Sequence, residues 1–102
     1  DILLDHTAQA LAIQQSTAKA EFQHALADYQ LQSRNVTMAK SILDDTQVKL
    51  KAGMATSMAF TQVQSQYQQA LSAQLSAAQQ ALNNHVNLEQ ALGQSTHSSL
   101  ND

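Results

Sequence analysis

Proline and cysteine are absent from this chain of 102 residues, tryptophan is absent too, and only two glycines occur, at positions 53 and 93. Without cysteine there is no disulfide and no thiolate metal framework. Without proline, nothing removes a donor from a helical ladder, so the chain is free to run helical over most of its length. Charge is scarce as well. Charged residues make up 13%, the formal net charge is −3, and Arg34 is the single arginine. Neither nucleic acid nor an anionic membrane surface is matched by such a balance. No apolar run approaches the ~18 to 20 residues that a membrane-spanning helix needs. Ile2-Leu3-Leu4 is too short for the apolar stretch of a signal peptide, and no segment alternates like a membrane β-strand. The chain begins at Asp1 and reads as an excised or mature piece of something larger, at most one domain.

Neutral residues fill the space that charge leaves: 17 glutamines stand beside 17 alanines. Among them a seam spaced alternately by four and three runs through Leu11, Gln15, Ala18, Phe22, Ala25, Tyr29, Gln32, Val36, Ala39, Leu43, Thr46 and Leu50. A second seam runs through Phe60, Val63, Tyr67, Ala70, Gln74, Ala77, Ala81, Asn84, Leu88 and Ala91. A period of 3.5 residues held this long predicts helices packed lengthwise as a left-handed coiled coil. Between the seams lies Lys49-Leu50-Lys51-Ala52-Gly53-Met54-Ala55-Thr56-Ser57. Gly53 suits the left-handed conformation that ends a helix, and Lys49 and Lys51 suit its negative end. Thr56 or Ser57 can cap the next helix. The expected fold is all-α: a long antiparallel coiled-coil hairpin over residues 1–93, with a first arm at about 6–52, a tip at 53–56 and a second arm at about 57–92. Leu92-Gly93 and the polar residues after it read as a helix stop and a C-terminal tail at 94–102.

Each arm carries further apolar residues outside its seam: Leu31, Met38 and Ile42 on the first, Leu71, Leu75, Ala78, Leu82 and Leu92 on the second. A two-helix hairpin would leave these wet, so they point to further helical neighbours in a bundle, a dimer of hairpins or a wall of helices.

The order and spacing of Lys49, Gly53 and Thr56, then Val63-Gln64 and Tyr67-Gln-Gln-Ala70, then Leu88-Glu-Gln-Ala91-Leu92-Gly93 resemble the TolC-type outer-membrane efflux and secretion channels. Arg34-Asn-Val36 followed by Ala39-Lys40 is similar to that family's approach to the turn. The resemblance covers about residues 20–93. It implies the periplasmic helical hairpin in the second half of such a channel, part of an α-helical barrel in a Gram-negative outer-membrane protein that is a trimer. It further implies a passive export conduit whose tip, at Lys49, Gly53, Met54, Ala55, Thr56 and Ser57, docks a periplasmic adaptor protein and through it an inner-membrane transporter. The family's acidic residues after the tip are replaced here by Ala59 and Gln62, which puts a charged constriction ring in doubt. Two alternatives stand beside this reading: the coiled-coil hairpin of the adaptor itself, and a self-associating four-helix bundle formed by two hairpins.

Chemistry has little foothold. His85 and Glu89 share a helical face, as do His24 and Asp28, but two ligands without a third make no metal site. Asp44 and Asp45 are adjacent and diverge by about 100° on a helix, so they do not converge on one proton. No strained turn or glycine-rich loop surrounds any serine. The expectation is a protein that is not an enzyme, with no catalytic residue, no metal and no cofactor. Phe22, Tyr29, Phe60 and Tyr67 fall on the seams as packing residues. Gln32, Gln74 and Asn84 are polar seam positions; such positions can set register, but the reading preferred here is that they face the water of a conduit, where a neutral polar lining lets varied solutes pass without strong binding.

Overall fold

The computed structural model describes the backbone of residues 2–101 and the side chains of residues 2–93. It contains two helices, α1 (Ile2–Lys51) and α2 (Ser57–Asn101), and no strand among the described residues. The all-α helical hairpin expected from the two seams is what is observed.

The turn at 52–56 is built from local chemistry. Gly53 takes φ +76°. Its N–H donates to the carbonyl of Leu50 at 3.1 Å, and the N–H of Met54 donates to the carbonyl of Lys49 at 2.7 Å. This pair of bonds closes α1 with a Schellman motif, occupying carbonyls that would otherwise lack a partner. On the other side, the Thr56 hydroxyl oxygen accepts the N–H of Ala59 at 3.0 Å, which caps α2.

At two ends the helices extend further than the sequence suggests. α1 begins at Ile2 instead of near residue 6, since nothing in Ile2-Leu3-Leu4-Asp5 opposes a helix and Asp5 suits the positive end of its dipole. α2 continues through Gly93 to Asn101 and does not stop at Gly93. A glycine ends a helix by adopting positive φ, and Gly93 does not adopt it. Without a proline beyond, the segment expected as a tail keeps its helical backbone, and its side chains lie outside the described residues.

The chain divides into two compact units. The first, Asp28–Ala78, holds the turn and the adjoining parts of both helices. In it the antiparallel pairing is marked by a bond from the Gln74 amide to the Ser33 hydroxyl at 3.1 Å. The second, Asp1–Ala27 with Gln79–Asp102, pairs the other parts of α1 and α2. There the Gln15 amide donates to the Ala91 carbonyl at 3.4 Å, and the Phe22 and His85 rings meet at 5.3 Å, tilted by 45°.

Within each unit the seam residues are the ones withdrawn from water. Every residue of the two seams is half-buried or buried, and among the described residues only Asp28, Ser33, Ala55, Ala59, Ala73 and Ala78 join them. Among the described residues full burial is confined to Ala25, Ala77 and Ala91, where a methyl group lets the two backbones approach. No large side chain is fully buried among the described residues. Since burial contributes about 25 cal/mol per Å² of apolar surface, a core of alanines backed by half-covered leucines and tyrosines stabilises the hairpin only modestly.

Candidate interaction surfaces

Two kinds of surface stand out: the turn, and the flanks on either side of the seams. The turn belongs to the Asp28–Ala78 unit. Gly53 and Thr56 form its two caps, as described above, and Ser57 opens α2. Lys49 lies in the last turn of α1, its amine 3.1 Å from the Asp45 carboxylate, both well exposed. An exposed pair of this kind contributes little to stability. Ala55 is half-buried, while Met54 projects with 77% of its surface exposed. Met58, which sequence reasoning passed over, is the most exposed large apolar residue among the described residues at 81%. A count of seam spacing would have found it, since it falls two positions before Phe60 and outside the stripe that faces α1. Between Thr46 and Leu88 the chain has no acidic residue, and its only lysine or arginine side chains there are Lys49 and Lys51, both on the α1 side of the turn.

The flanks follow from helical geometry. At 100° per residue, a residue just before a seam position lies on one side of the seam and a residue just after it on the other. In an antiparallel pair like flanks meet. The unit Asp1–Ala27 with Gln79–Asp102 displays this directly. Gln14, Thr17 and Glu21, each preceding a seam residue, line one groove with Asn87 and Gln90, which also precede theirs. Ala12, Ser16 and Lys19, each following one, line the opposite groove with Leu92, which follows Ala91. The first groove is polar. The second flank is the apolar one of this unit, carrying Leu26, Leu82 and Leu92, all exposed.

The same arithmetic in the Asp28–Ala78 unit gives a different result. Leu31, Met38 and Ile42 each immediately precede a seam residue of α1, namely Gln32, Ala39 and Leu43. Leu71, Leu75 and Ala78 each immediately follow one of α2, namely Ala70, Gln74 and Ala77. The two apolar rows of this unit therefore lie on opposite flanks. Leu31 is 51% exposed, Met38 61% and Leu75 63%, so neither row is covered by the chain's own packing.

Two of the three polar seam residues named above, Gln32 and Gln74, are bonded within the hairpin. Gln74 reaches Ser33 on α1, and Gln32 donates to the Asp28 carboxylate at 3.4 Å while accepting from Asn35. Register setting explains Gln74 better than exposure to a conduit does. Of the carboxylates and histidines singled out in the sequence, Asp28, Asp45, His85 and Glu89 meet a partner on their own helix. Asp45 meets Lys49, and His85 Nε2 lies 3.0 Å from Glu89 on the side chain that also stacks on Phe22. His24 is exposed. No group of three or more histidine, cysteine or acidic side chains converges among the described residues. No helix there is long and apolar enough to cross a membrane.

Comparison with known proteins adds no relative. Neither a family model, a curated protein nor a solved structure matches the chain.

Proposed function

We propose that this chain is a wall element of a helical conduit, the periplasmic hairpin of a TolC-type outer-membrane channel. In this reading its copies and repeats pack side by side into the α-barrel of a trimeric parent. Its tip docks a periplasmic adaptor that couples it to an inner-membrane transporter, and the passage itself is passive. The observation that carries the reading is the placement of the two apolar rows of the Asp28–Ala78 unit on opposite flanks. A closed two-hairpin bundle is built on one self-complementary face, so it covers one row and leaves the other wet. A hairpin with helical neighbours on both sides covers both. The caps at Gly53 and Thr56 also support it, since they give a geometric reason for the spacing on which the family resemblance rests.

The chain has no cysteine of its own, which makes a disulfide test clean. Leu31→Cys, Leu75→Cys and the double variant would be oxidised in the chain by itself. Side-by-side packing predicts a ladder of cross-linked multimers from the double variant and almost none from either single one. Dimers from a single variant, with no ladder from the double, would mean a self-paired bundle and would sink the wall reading. Docking is tested separately, by placing a benzophenone photo-cross-linker at Ala55 in the parent protein and irradiating it with a purified periplasmic adaptor. A specific adduct at the tip is expected, and an adduct formed only through the flanks would count against a docking tip.

A further inference from the structure

All three sulfur atoms of this chain belong to methionines, and all three methionines are exposed. None of them sits in a seam. Met54 and Met58 bracket the turn, and Met38 lies in the α1 row. With no cysteine to compete, peroxide meets the thioethers as its preferred targets in the molecule. We infer that Met54 and Met58 form a peroxide-responsive pair that converts the turn from an apolar surface to a polar one while leaving the hairpin folded.

The chemistry is balanced with a single co-reactant. Each thioether sulfur takes one oxygen atom from hydrogen peroxide, giving a sulfoxide and water. The sulfur loses two electrons and the O–O bond is broken. The flexible apolar side chain becomes a polar one with a strong hydrogen-bond acceptor, and sulfoxide reductases return it.

The structure keeps this change local. Met54 enters the turn through its backbone N–H, bonded to the Lys49 carbonyl, and that bond does not involve the side chain. Met58 lies in the first turn of α2, whose cap is made by Thr56 and Ala59. Neither sulfur supports a cap or a seam contact, so oxidation removes no packing from between the helices. It removes the two most prominent apolar groups of the turn, next to Lys49 and Lys51. That this would release a docked partner rests on the docking reading given above; the change of surface does not.

The test uses the full chain with Met38→Leu, so that only the turn responds, compared with the same chain also carrying Met54→Leu and Met58→Leu. Leucine keeps the apolar character and resists oxidation. After hydrogen peroxide, peptide mass mapping should show one added oxygen on each of Met54 and Met58, with far-UV circular dichroism unchanged. Retention on a phenyl-substituted matrix should fall in the first chain, remain in the second, and return after treatment with methionine sulfoxide reductases. Loss of helicity on oxidation, or unchanged retention with both sulfoxides verified, would overturn the inference. Failure of the Ala55 cross-link in untreated protein would instead count against docking and leave this result standing, so the two failures are told apart.

Discussion

Gly53 and Gly93 are the same residue type with opposite energetic signs. At Gly53 the backbone sits at φ +76°, and a methyl group there would meet no atom within 4 Å. The penalty of Gly53→Ala is thus purely conformational, about 1–2 kcal/mol for forcing an L-residue into the left-handed region. At Gly93 the space is equally open, but the backbone is helical. Gly93→Ala is expected to stabilise by about 0.4–1 kcal/mol, chiefly by restricting the unfolded chain. Urea unfolding of both variants at one fixed protein concentration checks the signs, the concentration being held because self-association would shift apparent stability. Thr56→Ala should cost about 1 kcal/mol through loss of the cap on α2, and Thr56→Ser should recover most of it. Equal losses for alanine and serine would show that the hydroxyl's bond to the Ala59 N–H is not what matters.

The pairing of one helix with the other depends on few specific contacts, because the buried set is almost featureless. Ala25, Ala77 and Ala91 allow close approach without distinguishing one register from the next. The bond between Gln74 and Ser33 does distinguish them, since a shift by one heptad would set the glutamine amide against Leu26 or Lys40 in place of Ser33. A double-mutant cycle with Ser33→Ala and Gln74→Ala is expected to give a coupling of about 0.5–1.5 kcal/mol. A coupling near zero would assign register to the turn alone. At the same scale, the conflict at the end of α2 shows why sequence reading placed that boundary wrongly. Glycine permits a helix to stop but does not compel it, and only the sign of its φ reveals which occurred.

For the molecule as a whole, the decisive fact is how much apolar surface remains once the hairpin has formed. Within the Asp28–Ala78 unit, Leu31, Met38, Ile42, Leu71 and Leu75 are all exposed. Charge replacement tests each flank by itself. Leu75→Lys should abolish association while circular dichroism keeps its helical signature, and Leu31→Lys should do the same on the other flank. Mixing the two variants is the informative step. With unlike flanks in contact, each variant keeps one intact face that matches the intact face of the other, so mixtures form heterodimers that stop there, visible by analytical ultracentrifugation. Homodimers formed by either variant alone, through the row it keeps, would mean that like flanks pair.

The sequence by itself determined the helices, the turn and both seams. Each depends on local terms, namely the missing prolines, the 3.5-residue period and the cap residues at Gly53 and Thr56, and every seam position read from spacing is withdrawn from water. Tertiary structure decided what spacing on one helix cannot contain. It set which flank of α1 meets which flank of α2, made Gln74 a cross-helix partner of Ser33, and left Met54 and Met58 standing clear of the seam. The physical reason is that a helix face is defined by its own residues, whereas a flank, a groove or a bond between helices exists only once two faces have been brought together.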